Sequence, residues 1–121
     1  MTDDRTEIMR AKALLATAIA AVVALRAAIG MAEEATDKGG RLYENYCSNC
    51  HGEELKNNTD GLAFDLRRLK PDEHARFVNS VLNGKNRMPP WRGVLADEQI
   101  EQIWSYIRAV RGGQGRPSDS R

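Results

Sequence analysis

Two cysteines and one histidine stand at a spacing that can attach a haem covalently. Cys47 and Cys50 are separated by two residues, and His51 follows directly. In such a motif each thiol adds across one porphyrin vinyl group, and the histidine then reaches the iron as its proximal ligand. The motif therefore predicts one haem c, bound by Cys47, Cys50 and His51.

The same two thiols permit two other interpretations. A Cys-x-x-Cys pair also occurs in redox-active dithiols, but there it lies in an alternating strand and helix pattern, which this sequence does not show. A zinc site needs paired ligands, and His74 is the one further cysteine or histidine in the chain. The acidic stretch 52–61 is expected to be a solvated loop, and it lacks the Asp-x-Asp spacing of a calcium loop. The dithiol and the zinc site remain the alternatives to haem.

Met88 is the candidate ligand for the other face of the iron. It is the only methionine after residue 32, and two prolines follow it directly. Because prolines restrict the backbone to an extended conformation, they can present a weak thioether donor at a small cost in entropy. We therefore predict that His51 and Met88 ligate the iron, with core filling as the alternative role for Met88. A ligating His74 is a further alternative.

The N-terminus has the composition of an export signal. Three basic residues precede the apolar run 13–25, and small residues near position 32 suit a peptidase site. We predict a signal peptide over 1–32, a folded domain over 33–111 and a disordered tail over 112–121. An uncleaved membrane anchor is the alternative, although Arg26 makes a membrane span costly.

Composition and charge narrow the possible functions. The 121 residues are 41% hydrophobic and 29% charged, as expected for one soluble domain with a small core. Removing 1–32 takes four of the 18 bases and three of the 17 acids, so 14 of each remain. The sequence thus lacks the excess of positive charge that would attract nucleic acid. Without a net charge, it can attract a charged partner only through an uneven local distribution of charges.

Three helices are predicted to position these groups. The first runs over about 38–47, after a polar stretch over 33–38 that is expected to fray. Gly39 and Tyr43 share one face of it, and the glycine suggests either a close approach of another backbone or a frayed helix start. The second begins at Pro71 and runs to about Leu82, where Asn83-Gly84 stops it, with His74 on its apolar face. The third is capped by Asp97 and runs to about Arg111. Its apolar face combines Ile100, Ile103, Trp104, Ile107 and Val110.

The segments between these helices supply further groups around the ring. We expect Trp91 to pack at the ring or its rim, with simple core filling as the alternative. One of Arg67 and Arg68 could pair a haem propionate, and an exposed surface position is the alternative for either arginine. Four apolar side chains are expected to close over the ring: Leu62, Phe64, Leu66 and Leu69.

Together, the motif, Gly39 with Tyr43, Met88-Pro89 and Ile103 with Tyr106 resemble a class I cytochrome c over roughly residues 39–110. The resemblance implies a small all-α fold in which the first and last helices cross closely at the glycine and aromatic positions. The segments Gly61–Arg67, Arg76-Phe77 and Met88–Trp91 are similar to periplasmic cytochromes that accept electrons from pyrroloquinoline quinone (PQQ)-dependent alcohol dehydrogenases.

The resemblance implies a monomeric, periplasmic one-electron carrier, with such a dehydrogenase as donor and an oxidase or another cytochrome as acceptor. With both axial positions filled, no open site for substrate remains, so we expect no enzymatic activity. Two alternatives differ in class. One is a haem enzyme or gas sensor in which Met88 dissociates, and the other is a subunit anchored to a larger membrane complex.

Overall fold

The computed structural model describes residues 4–57 and 59–113, and these residues form helices and turns with no strand. Four α-helices are present: α1 over Asp4–Tyr46, α2 over Ser48–His51, α3 over His74–Asn83 and α4 over Asp97–Arg111. Three short 3₁₀ turns lie between them at Glu53–Leu55, Leu66–Arg68 and Pro71–Glu73. The all-α prediction is confirmed. The predicted tail lies outside the described residues from position 114 onward.

The chain divides into two compact units, Met1–Glu33 and Glu34–Arg121. The described part of the first unit is helical, and its apolar side chains are exposed along its whole length. Among the described helices, α1 alone is long and apolar enough to cross a membrane, with a window of mean hydropathy 2.1. A cleaved export signal and a retained anchor both have this composition.

Helix α1 continues through the polar stretch 33–38, which we had expected to fray. The stretch contains no proline, and Glu34 pairs with Lys38 one turn later at 2.9 Å. Such i,i+4 pairs support a helix by a few tenths of a kcal/mol each. The start of the predicted first helix at about residue 38 is therefore wrong, while its end near Cys47 agrees with Tyr46.

The second unit is organised around the contact between the end of α1 and α4. A Cβ added at Gly39 would lie 1.9 Å from the backbone oxygen of Gln102, and one at Gly40 would lie 3.2 Å from the Tyr106 ring. The rings of Tyr43 and Tyr106 stand 5.3 Å apart. The expected close approach at Gly39 is confirmed, because no side chain larger than hydrogen fits there without displacing backbone.

The core of the second unit surrounds this contact. Tyr43 is fully buried, and its hydroxyl donates a 2.7 Å hydrogen bond to the carbonyl of Gly52. Burial raises the pKa of this phenol, so it stays a donor. The other buried apolar side chains are Leu55, Leu66, Leu69, Phe77, Val81, Leu95, Ile100, Ile103, Tyr106 and Ile107.

Helices α3 and α4 match their predicted ranges closely but differ at their starts. The turn Pro71–Glu73 is 3₁₀, and α3 proper begins at His74. Helix α4 begins at Asp97, so its N-cap is Ala96 and the prediction of Asp97 as cap is wrong. The backbone N–H of Ala96 instead donates to the side-chain oxygen of Gln99 at 2.9 Å. A residue three positions into the helix thus satisfies the free amide.

Candidate haem-binding site

The candidate ligands Cys47, Cys50 and His51 lie together because a short helix carries them. The backbone N–H groups of Cys50 and His51 both donate to the carbonyl of Cys47, at 3.2 and 2.9 Å. Helix α2 follows α1 after one residue, and Ser48 is tied back to α1 by a 2.7 Å bond from its hydroxyl to the carbonyl of Glu44. The core helix α1 therefore fixes the position of all three groups.

Gly52 ends this helix in a conformation that favours glycine. Its φ is +82°, and an added Cβ would lie 1.9 Å from the carbonyl oxygen of Lys56. The turn after it folds the chain back so that Leu55 is fully buried. We had expected 52–61 to be a solvated loop, and for Leu55 that prediction is wrong. The reversal requires positive φ at Glu54 and Leu55, which their residue types do not signal.

One hydrogen bond sets the orientation of His51. Its Nδ1 lies 2.9 Å from the carbonyl oxygen of Phe64, so Nδ1 must carry the proton and donate it. The lone pair of neutral imidazole is then on Nε2, the atom that a metal would bind. Burial lowers the pKa of His51, and the hydrogen bond to Phe64 raises it by a smaller amount. Because the net pKa is lowered, the neutral ring is favoured.

The thiol of Cys47 does not have the properties of a redox-active cysteine. Burial, followed by the neighbouring Cys50, raises the pKa of Cys47 to about 12, whereas reactive dithiols have a lowered pKa. Cys50 is exposed. Within the described residues no group of three or more His, Cys, Asp or Glu side chains could hold a metal ion. These observations support neither a redox-active dithiol nor a zinc site at Cys47 and Cys50.

Met88 is held in a short loop built on the end of α3. Backbone bonds of 3.0 and 2.9 Å join Lys85 and Met88 in both directions across a tight turn. Gly84, which precedes the turn, has φ +72°, and an added Cβ would lie 2.6 Å from the carbonyl oxygen of Met88. The N–H of Trp91 donates to the carbonyl of Val81 at 2.8 Å. This bond satisfies a carbonyl that the helix end leaves free.

An aromatic pair joins the two parts of the site. Trp91 packs its edge against Tyr46, with ring centroids 5.4 Å apart. Tyr46 directly precedes Cys47, and Trp91 lies three residues after Met88. The half-buried side chains of Cys47, Met88 and Trp91 pack against the same core cluster. The structure therefore brings the segment 47–51 and the Met88 loop to one side of the core.

The four apolar side chains expected to cover the ring fall into two pairs. Leu66 and Leu69 are buried in the polypeptide core, whereas Leu62 is 69% and Phe64 41% exposed. Phe64 is the residue whose carbonyl accepts from His51, and its ring lies under the guanidinium of Arg76 at 4.8 Å. Two apolar side chains of the segment that contacts His51 thus stay exposed. The site fits a large apolar group bound at His51.

Other candidate residues have partners outside the site. His74 places Nε2 2.9 Å from both carboxylate oxygens of Glu101, and its ring packs on Trp104 at 5.2 Å. The structure therefore assigns His74 to the α3–α4 contact. Arg67 forms two 2.9 Å bonds with Asp65 and is exposed.

Comparisons with known proteins identify relatives of this chain. The family model described as cytochrome c oxidase, cbb3-type, subunit III matches residues 34–107. Cytochrome c6 of Thermosynechococcus vestitus is 30% identical over 83% of this chain and 92% of its own length. No solved structure matches the chain.

Two of the relatives are much longer proteins. Quinohemoprotein alcohol dehydrogenase ADH-IIG of Pseudomonas putida is 34% identical over 59% of this chain, and the match covers 10% of the enzyme. The cbb3-type cytochrome c oxidase subunit FixP of Azorhizobium caulinodans is 30% identical over 66% of this chain, and that match covers 29% of the subunit. The chain therefore corresponds to one part of each of them.

Proposed function

Since this chain belongs to the cytochrome c family, in the group described as cytochrome c oxidase, cbb3-type, subunit III, we propose that Cys47, Cys50, His51 and Met88 bind its haem. Proteins of the cytochrome c family carry one covalently attached haem c, and the protein is an electron carrier rather than an enzyme. The observation that carries the assignment is the 2.9 Å bond between His51 Nδ1 and the Phe64 carbonyl. It puts the proton on Nδ1 and so leaves the lone pair of the neutral ring on Nε2, the atom that would bind iron.

Each of the four residues has a separate task in this proposal. Cys47 and Cys50 form the two thioether bonds, and α2 holds their spacing. His51 would bind the iron through Nε2, already oriented by Phe64. Met88 would bind it through its thioether sulfur, presented by the turn that Gly84 and Pro89 shape. When bound, the haem supplies one-electron exchange between ferric and ferrous iron.

The axial ligands determine what the site does with the iron. Two protein ligands leave no coordination position for a substrate, so the residues support electron transfer only. A neutral thioether and an apolar environment both favour ferrous over ferric iron, and together they raise the reduction potential. We propose that the exposed apolar side chains of Leu62 and Phe64 contribute to that environment once the haem covers them.

For the donor, we propose a PQQ-dependent alcohol dehydrogenase, and for the acceptor an oxidase or another cytochrome. The similarity of this chain to part of the quinohemoprotein alcohol dehydrogenase supports the donor. The similarity to part of a cbb3-type oxidase subunit supports the acceptor. Stopped-flow reduction of the haem-loaded protein by quinoprotein dehydrogenases from the same cells tests the donor. Failure of every such enzyme to reduce it would remove this donor.

For the location, we propose that residues 1–32 direct export to the periplasm and are cleaved after Ala32, so that a monomeric domain over 33–111 is released. The apolar, exposed first unit supports this location. The same helix supports a second candidate, a subunit that keeps α1 as an anchor in a larger membrane complex. N-terminal sequencing of the exported protein separates the two, since an N-terminus at Met1 contradicts cleavage.

A further inference from the structure

The charges of this protein are distributed unevenly along a chain of nearly zero net charge. Between Glu73 and Asp97 the sequence has four basic residues and no acidic residue, a local charge of +4. The stretch 33–60 has seven acidic and three basic residues, a local charge of −4. The domain over 33–111 has 12 basic and 13 acidic residues and thus a net charge of −1. It nevertheless carries a strongly basic segment, and this segment contains the Met88 loop.

The fold gathers three of these four basic residues around the loop. The reciprocal backbone bonds of the turn place Lys85 beside Met88, with Arg87 inside the same turn. Arg92 reaches back to the start of the turn, where its guanidinium donates to the side-chain oxygen of Asn83 at 2.9 Å. All three side chains are exposed, and none forms a salt bridge within the part of the chain that the structure describes.

The residues between these charges are apolar and exposed. Pro89 and Pro90 are exposed, and Val94 in the next turn is 56% exposed. We call the surface formed by Lys85, Arg87, Pro89, Pro90, Arg92 and Val94 the basic loop surface. An apolar centre with a charged rim is the usual arrangement of a protein interface. The backbone bond from Trp91 to Val81 holds this surface in place before any partner arrives.

We propose that the basic loop surface is the docking face for an acidic redox protein. The proposal rests on the proposed function, because it names the partner class of the same haem site. A carrier must form short-lived contacts, and such contacts are small and assembled quickly by electrostatic attraction. Since the net charge of the domain is only −1, the attraction to an acidic partner has to come from a local group of positive charges. Met88 lies inside this group, so the partner would dock directly over one proposed ligand.

The local field is tested with two small redox probes of opposite charge and the haem-loaded protein. Anionic hexacyanoferrate should react fast at low ionic strength and slow as salt is added, and cationic hexaammineruthenium should show the opposite trend. The loop variant, Lys85→Gln/Arg87→Gln/Arg92→Gln, should lose about tenfold in its rate with hexacyanoferrate at low salt.

The control variant, Lys38→Gln/Arg41→Gln/Lys56→Gln, removes the same total charge from the acidic stretch. All three of its residues are exposed, and the two ion pairs that it loses are surface pairs of small stability. Its rate with hexacyanoferrate should stay within about twofold of the parent rate. Equal losses in both variants would overturn the proposal, because total charge would then govern the rate. Reduction potentials measured for all three proteins remove driving force as a cause.

The protein partner is tested with oxygen uptake by salt-washed membranes of the source cells, driven by the reduced protein. The loop variant should slow uptake about tenfold at low salt, and the control variant should not. An acidic lipid membrane is the alternative occupant of the basic loop surface. It is tested by sedimentation of the protein with phosphatidylglycerol vesicles. Vesicle binding that the loop variant loses would overturn the proposal in favour of lipid. A protein that matures without haem would refute the proposed function. A haem-loaded carrier whose loop and control variants react at equal rates would refute the docking face alone.

Discussion

The contact between α1 and α4 and the side of the core that carries His51 and Met88 are built in different ways. At the helix contact, Gly39, Tyr43 and Ile103 are buried by other parts of the polypeptide. On the ligand side, Leu62 and Phe64 are exposed although they are apolar. The first region is therefore packed by the polypeptide itself. In the proposed function the haem covers the second region, so cofactor attachment should stabilise the second region far more than the first.

The largest expected effect breaks the helix contact. Gly39→Ala puts a Cβ 1.9 Å from the Gln102 backbone oxygen, so α1 and α4 must separate. We expect a loss of about 3 kcal/mol in the free energy of unfolding, measured by denaturant titration. Gly112→Ala is the matched control, since its Cβ would meet Arg108 at an ordinary 3.4 Å. Equal losses in the two variants would contradict the close crossing.

The next effect concerns the ligand side alone. Met88→Ala should remove any sulfur-to-iron absorption band of the ferric protein while the haem stays attached. It should also lower the reduction potential by about 0.1 V or more, because axial ligands tune haem potentials over about 0.8 V. Spectroscopy and a redox titration measure both changes. An unchanged band and potential would show that another residue occupies the distal position.

A smaller effect is expected when the Met88 loop is moved and the Met88 side chain itself is kept. Gly84→Ala forces a residue with φ +72° against the Met88 carbonyl, so the loop has to move. We expect a partial loss of the sulfur-to-iron band and a fall in potential smaller than that of Met88→Ala. Gly93→Ala is the control, because Gly93 also has a positive φ, +78°, but an added Cβ meets nothing within 4 Å. It should cost about 1 kcal/mol of stability and leave the band intact.

The smallest effect is expected at His74. This residue contacts Glu101 and Trp104, and its side chain is 43% exposed. His74→Ala should therefore cost less than about 1 kcal/mol in the free energy of unfolding. The low-spin ferric spectrum and the potential should not change. If His74→Ala abolished the low-spin spectrum and Met88→Ala did not, the proposed axial pair would be wrong.

The sequence predicted the helices better than the segments between them. The apolar repeat of α4 and the glycine in α1 are local signals, and both gave the right packing. Leu55 was missed because its burial follows from positive φ angles that its residue type does not indicate. The cap at Ala96 was missed because the bond comes from Gln99 rather than from Asp97.

The candidate site shows the same limit. Its proposed ligands are side chains in a recognisable motif, so their types and spacing could be read directly. The group that orients His51 is a backbone carbonyl, and any residue type at position 64 would supply one. The contact between Tyr46 and Trp91 joins residues 45 positions apart, which only the fold brings together.

The central claim is that a haem is bound covalently at Cys47 and Cys50. The most direct test is mass spectrometry of the protein matured in cells that can attach haem c, followed by analysis of its peptides. We predict one added haem, located on the peptide that contains Cys47, Cys50 and His51. A colourless protein with both thiols free, produced in cells that attach haem to a known c-type cytochrome, would contradict the account.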